Sequence, residues 1–353
     1  MKIAIDATPL SVPTGGIRRY VSELTNALLD LGADSNGAKD DLWYFSDQPF
    51  AAPPGVHSAA PPRNPIDRRW WLLGAARELA RHGMDVFHGT DFAVPYLPRC
   101  ASVLTLHDLS PWRDSVASSS RVRNRTKALL RLRVPTLILT PSDAIRREAI
   151  GYFGWPESRI VAVPLAPADW LKPAPSAPEG LPYFLHVGAL EPRKNVAAIV
   201  EAWRLLPAGG SRLVLAGRPR PDFALPRPAP GLEILTDVPD GQLAALYSNA
   251  AAVLCLSSYE GFGLPVLEAM RCGAPVIASN DPAIRETAGG AACIADSRDP
   301  KSVAEAMLAM IANPNLRADL SARGSARASL FTWSRTARET RAAYAEAVAR
   351  HAR

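Results

Sequence analysis

Twice along this chain, short apolar runs of strand length alternate with stretches of helical periodicity, and a proline-crowded segment separates the two series. In the first series the runs are KIAIDA (Lys2 to Ala7), Leu42 to Ser46, Asp85 to His88, Ser102 to Leu106, Leu137 to Thr140 and Ile160 to Val163. Helical patterns between them cover Ile17 to Leu31, Asp67 to His82, Arg121 to Arg133 and Asp143 to Tyr152. The second series begins with YFLHVG at Tyr183 and continues through Arg212 to Ala216, Leu232 to Leu235, Ala251 to Leu256, Pro275 to Ala278 and Ala291 to Ile294. Such alternation demands parallel sheets covered on both faces by helices, because a parallel crossover needs a connection of helix length. We therefore expect an α/β protein of two Rossmann-like domains facing each other across a cleft. The expected boundaries are 1–166 for the first domain, 167–182 for a stiff Pro-rich linker and 183–332 for the second. A charged amphipathic helix, 333–353, is expected to cross back to the first domain. Open parallel sheets bind ligands at the carboxyl ends of their strands, so the loops there are where function is sought.

Composition narrows the class. With 353 residues, 48% hydrophobic and 21% charged, the chain suits a folded two-domain protein. No apolar run approaches the roughly 18 residues of a spanning helix, and Lys2 enters a strand with no signal-type pattern, so a cytoplasmic setting is expected. Cys100, Cys255, Cys272 and Cys293 have neither CxxC spacing nor an adjoining His, which argues against zinc and disulfides. The net charge of +6 comes largely from dispersed arginines without a nucleic-acid-binding signature. It points instead to a phosphorylated ligand or an anionic surface.

Four constellations stand at strand ends. In SSYEGFGLPVLEAMRCGA (Ser257 to Ala274), Gly261 and Gly263 lie in a turn from strand to helix, with Glu260 before them and Glu268 within the helix. Glycines admit a ligand close to backbone N–H groups, and a helix N-terminus favours phosphate. Glu268 is expected about two turns along, roughly 12 Å from the helix start, suited to a ribose diol. An ordinary turn is the plain alternative; a charged Glu260 beside Phe262 at a strand's carboxyl end argues against it. In ALEPRKN, Arg193 and Lys194 precede a helix and could neutralise a diphosphate, Arg193 through its fork and Lys194 as a point charge; a solvated loop is the alternative. His107, followed by Asp108, could be held in one tautomer and contact a sugar hydroxyl or phosphate; a structural histidine is the alternative. Gly15 and Gly16 open the first long helix, a second place for a phosphate, but their spacing is not that of a dinucleotide fingerprint.

The motif EGFGLPVLE, with seven residues between its glutamates, together with VGALEPRKN and an N-terminal GG turn, resembles the retaining GT-B glycosyltransferases of family four over nearly the whole chain. The resemblance implies that Glu260 contacts the donor sugar and Glu268 the ribose. It also implies that the backbone of Gly261, Phe262, Gly263 and Leu264 holds sugar hydroxyls and phosphate oxygens. Arg193 and Lys194 would bind the diphosphate, and His107 would lie near the transferred sugar. It implies no metal and no cofactor, which agrees with the absence of an Asp-x-Asp triplet. Ala189 stands where some relatives have arginine, which throws more of the diphosphate charge onto Arg193 and Lys194.

The expected activity is retaining, metal-independent transfer of a hexose to a glycan or lipid-linked oligosaccharide in surface polysaccharide synthesis. GDP-mannose is the preferred donor, on the GGIRRY and ALEPRKN stretches. A UDP-sugar donor, a nucleotide-sugar epimerase and a non-catalytic binding module are the alternatives. No nucleic-acid partner is expected. The basic stretch Arg121 to Arg133 and the Trp70-Trp71 pair suit peripheral attachment to an anionic inner membrane face, with a solvated helix face as the alternative.

Overall fold

A computed structural model describes residues 1–12, 15–32, 39–49, 51–62, 64, 67–113, 120–175, 180–221 and 223–353, without the side chains of 120–122. The chain divides into two compact units, residues 1–165 with 333–353, and residues 166–332.

The first unit carries β1 (Lys2–Asp6), β2 (Asp41–Phe45), β3 (His57–Ser58), β4 (Val86–Gly89), β5 (Ala101–Thr105), β6 (Leu137–Thr140) and β7 (Ile160–Ala162). They form one sheet in the order β3-β2-β1-β4-β5-β6-β7, and every pairing is parallel. β1, β4, β5 and β6 are buried along almost their whole length, which is why they read as continuous apolar runs instead of alternating ones. The helix Gly16–Asp30 buries Tyr20, Val21, Leu24, Ala27 and Leu28 on one face. Its interior-facing leucines are fully buried, each worth about 1.5–3 kcal/mol. In the helix Asp143–Phe153, Ser142 Oγ accepts from the Ile145 N–H, and Gly154 ends it in the left-handed conformation.

The second unit repeats the plan with β8 (Tyr183–Val187), β9 (Arg212–Ala216), β10 (Leu232–Leu235), β11 (Ala252–Cys255), β12 (Val276–Ala278) and β13 (Cys293–Ile294). Their order is β10-β9-β8-β11-β12-β13, again parallel throughout. The strand order reverses at β8, which neighbours β9 on one side and β11 on the other; the crevice beyond such a switch point is where open sheets hold ligands.

Several expectations change at this level. The proline-rich segment is not free-standing over its described part: Leu171 is buried, Arg271 bonds its carbonyl at 3.2 Å, and Ser248 Oγ accepts from the Ala174 N–H. Residues 176–179 of that segment lie outside the described residues. Asp67 to His82 is not one α-helix: a π-turn, Trp70–Gly74, precedes the helix Ala75–His82. Trp70 is buried, so it is core and no surface anchor. The final helix, Trp333–His351, lies within the first unit. There Thr336 bonds the Pro164 carbonyl at 2.7 Å, Arg341 pairs with Asp40, and buried Tyr344 bonds His88 at 2.6 Å. The four cysteines are unbridged. No helix among the described residues is long and apolar enough to cross a membrane.

Candidate active site

Beyond the ends of β8 and β11, His186, Lys194, Ser257, Glu260, Gly263 and Pro265 line a pocket that opens to solvent. Two loops supply its charges. After β8, a short 3-10 turn (Pro192–Lys194) and the left-handed Asn195 deliver the chain into the helix Val196–Arg204. After β11, Gly263 at φ +89° turns the chain into the helix Leu264–Arg271, and a side chain there would press on Ile284 at 3.3 Å. Only glycine suits both constraints. Pro265 occupies the first turn and no side chain caps the helix.

Glu260 is the hub. Its Oε1 accepts from Lys194 Nζ at 2.5 Å and from Ser257 Oγ at 2.6 Å, while Oε2 faces Arg193 at 3.4 Å. Burial alone pushes its acidity down, but the two cations outweigh that and hold its pKa below the usual carboxylate range. Glu260 is therefore an ionised acceptor, suited to hydroxyl donors. Arg193 bridges Glu260 to buried Glu191, at 2.9 Å, and Glu191 in turn faces Arg220 at 3.5 Å. Arg193 also clamps the two loops together, donating to the Tyr259 carbonyl at 3.1 Å and accepting from the Ser258 N–H at 2.9 Å.

Glu268 stands apart from this hub. It is the fifth residue of its helix, so it lies one turn along, about 6 Å from the helix start, and not two turns as the sequence suggests. The reason is that the helix begins only at Leu264; the preceding residues are spent on the turn. It is 4% exposed, and Tyr247, fully buried, donates to its Oε2 at 2.8 Å. Burial, reinforced by that carboxylate, raises the Tyr247 phenol well above its ordinary pKa, so the phenol stays protonated and donating.

The first-unit candidates lie near one another. Gly15 (φ +141°) precedes the helix that Gly16 begins, and Tyr20 of that helix packs edge-on against His107, ring centroids 5.1 Å apart. His107 is held in one tautomer, but not by Asp108. Its Nε2–H donates to the Thr90 carbonyl at 2.8 Å, whereas Asp108 accepts from the N–H and hydroxyl of Ser110.

Four functional-looking residues escape sequence reasoning. Asp281 caps the helix Pro282–Ala288 with Oδ1, and its Oδ2 accepts from the Glu260 N–H at 3.4 Å. His186 bonds the Leu254 carbonyl through Nδ1 and leaves Nε2 buried without a partner on the pocket wall; burial pushes its pKa down to about 4, so it is neutral. Glu191 and Tyr247 complete the set. Glu191 adjoins the Arg193-Lys194 pair in sequence, which is a readable signal; Asp281 before Pro282 carries a cap signal, while His186 and Tyr247 sit in apolar runs that show none.

Comparison with known proteins places the chain in a family. Residues 170–327 match the profile described as glycosyl transferases group 1, and residues 14–166 match that of glycosyltransferase family 4. The chain is 33% identical over 393 aligned residues to the O-antigen chain mannosyltransferase B of Escherichia coli, covering 98% of this chain and 99% of that one. The chain belongs to the GT-B glycosyltransferases of family four. A D-inositol 3-phosphate glycosyltransferase of Thermobispora bispora is 31% identical, with 99% of this chain and 94% of that one aligned. Among solved structures, a sucrose-phosphate synthase from Thermosynechococcus elongatus superimposes with a TM-score of 0.77 at 20% identity, covering 99% of both chains, and shares the fold.

Proposed function

We propose that this glycosyltransferase moves a mannosyl residue from GDP-mannose, with retention of configuration and without a metal ion, onto a growing surface glycan. One observation carries the reading: Glu260, Lys194 and Arg193 meet at the switch point of the second sheet, beside an uncapped helix N-terminus. Glu260, ionised, accepts hydroxyls of the donor sugar. Lys194 gives one of its three donors to Glu260, and its charge, with Arg193 and the positive end of the helix Leu264–Arg271, faces the departing diphosphate. The backbone of Gly261, Phe262, Gly263 and Leu264 lines the approach to the phosphates. Glu268 accepts ribose hydroxyls, held for that task by Tyr247. The choice of mannose and of a surface glycan follows the O-antigen mannosyltransferase, whose length this chain matches almost completely.

On this reading of retention Glu260 is not the nucleophile, because its charge is bound up with Lys194, Arg193 and Ser257. The acceptor hydroxyl then enters on the face the diphosphate leaves, and the leaving oxygen takes its proton. Compensation of charge on the leaving group is the main source of acceleration. In the first unit, His107 presents Nδ1 as an acceptor, and the Gly15-Gly16 turn opens a helix towards phosphate. Attachment to an anionic membrane face belongs to the same reading, through the exposed cations of the basic helix Ser120–Arg131.

The test is a donor panel. GDP-mannose, UDP-glucose, UDP-galactose and UDP-N-acetylglucosamine are compared by thermal shift, then by transfer in EDTA, with the product anomer read by NMR. A ligand at a hundredfold excess over its Kd stabilises by roughly 2.7 kcal/mol. Stabilisation by GDP-mannose and an α-linked product in EDTA are expected; preference for a UDP-sugar, inversion, or loss of transfer in EDTA refutes the corresponding part.

A further inference from the structure

One polar group on the wall of the second-unit pocket has no task in the chemistry proposed above. His186 is the last but one residue of β8, in the apolar run Tyr183–Val187, and is 2% exposed. A histidine buried for packing satisfies both ring nitrogens, as His88 does between Tyr344 and Thr105. His186 satisfies one. Its Nδ1–H donates to the Leu254 carbonyl at 3.2 Å, which fixes the ring against β11, and its Nε2 is buried with no partner. Buried polar atoms are rarely left so, and each that is calls for a reason.

The geometry around Nε2 supplies one. Gly188, at φ +143°, turns the chain just beyond β8. The point where a side chain on Gly188 would begin lies 3.9 Å from Nε2 and 3.8 Å from Lys194 Cε, so the missing side chain leaves a gap shared by the two. That backbone conformation favours glycine, which keeps the gap open. Both residues line the pocket, and the Lys194 charge is felt at the ring. The Nδ1–H bond and burial, which pushes the pKa down to about 4, leave Nε2 as an uncharged acceptor. Lys194 carries three N–H donors on a flexible stem and gives one of them to Glu260 at 2.5 Å.

We propose that His186 is a positioning residue for Lys194: when a nucleoside diphosphate enters, the ammonium leaves Glu260, donates to His186 Nε2 and turns its charge on the diphosphate. This exchange rests on the reading above, in which Lys194 serves the diphosphate and Glu260 the sugar. Glu260 is not free for the sugar as it stands, because Oε1 already accepts from both Lys194 and Ser257. A carboxylate has about four acceptor sites, and withdrawal of Lys194 opens one to a hydroxyl. The acceptor that Lys194 moves to then matters. A second carboxylate would cancel its charge, whereas a neutral imidazole holds the ammonium in place and leaves the full charge for the phosphates. Arg193 does not make the same exchange, since Glu191 and the Tyr259 carbonyl hold it as well.

The test is a double-mutant cycle on the full chain, read by isothermal titration calorimetry with GDP and by transfer kinetics with GDP-mannose. His186→Phe is expected to weaken GDP about tenfold, the effect of one hydrogen bond to a charged group, and to lower kcat/KM with it. His186→Gln, whose amide oxygen restores an acceptor, is expected to recover most of the loss. In a Lys194→Ala background His186→Phe should cost nothing further, because the two side chains act as one unit. Where His186→Phe is unfolded by circular dichroism, His186→Asn takes its place, keeping a donor for the Leu254 carbonyl but no acceptor at Nε2. Unchanged GDP affinity in a folded variant, a loss of the same size in the Lys194→Ala background, or a loss for GDP-mannose but not for GDP overturns the proposal. Binding to the parent tests the donor reading separately. Preference for UDP removes GDP-mannose as donor, and the same cycle run with UDP then decides the role of His186.

Discussion

The two sheets end in polar clusters of opposite character. In the second unit the cations are already matched: Lys194 and Arg193 on Glu260, Arg193 and Arg220 on Glu191. In the first unit Arg125, stacked on Trp71 and within electrostatic reach of three aspartates, forms no salt bridge among the described residues. The difference shows in the carboxylates. Glu260 is held below its ordinary pKa because the neighbouring cations outweigh burial, whereas Asp6 and Asp91 are raised because burial prevails. A matched cluster holds its geometry before any ligand arrives, which suits the stabilisation of a leaving group.

The largest expected effect tests the matched side. Lys194→Ala should lower kcat for transfer by about a hundred- to a thousandfold, the scale seen when one preorganised electrostatic contact is removed. The fold should survive, because Glu260 keeps Ser257 and Arg193. Near-normal turnover by the purified variant breaks the assignment.

A smaller effect is expected where the first unit does pair its buried polar groups. His88 hydrogen-bonds Tyr344 through Nδ1 and Thr105 through Nε2, one nitrogen donating and the other accepting, all inside the core. Tyr344→Phe strands one imidazole nitrogen and should cost about 1–3 kcal/mol in denaturant unfolding. An unchanged midpoint would mean that the final helix is held by its apolar face alone.

The smallest effect is a pH dependence. Asp6 has its folded pKa raised to about 7, above the ordinary 3.8. The folded state therefore binds the proton more tightly, and this group's contribution to stability is lost as pH rises towards 7 and is constant above it. The slope is at most about 1.4 kcal/mol per pH unit. Asp6→Asn should be more stable than the parent at pH 8, with the gap closing towards pH 4. A gap that does not change with pH would show that Asp6 is ionised when folded, and the two clusters would then differ less than they do here.

Much of the second-unit site is legible in the sequence because its parts are contiguous: EGFGLPVLE and EPRKN each sit within a few residues, at ends of strands that announce themselves by apolar content. The first-unit cluster is not legible. Asp6, Asp47, Asp91 and Arg125 come from four distant segments, and each alone looks like a residue of a turn or a solvated helix. Trp70 and Trp71 read as a surface pair, yet one is core and the other carries a cation. Glu268 was placeable in a helix but not by depth, because periodicity fixes a face and leaves the starting residue open.

By itself, then, the sequence determines that there are two parallel α/β sheets, since local apolar runs and helical periods alternate along the chain and only parallel crossovers satisfy that order. It also determines which loop carries Glu260 and which carries Arg193 and Lys194. Tertiary structure decides the rest. It brings the two loops together through the adjacency of β8 and β11, lets Arg193 and Lys194 outweigh burial at Glu260, and sets Arg125 within electrostatic reach of three aspartates. Ionisation and pairing depend on distances between segments remote in the chain, and no local pattern encodes a distance of that kind.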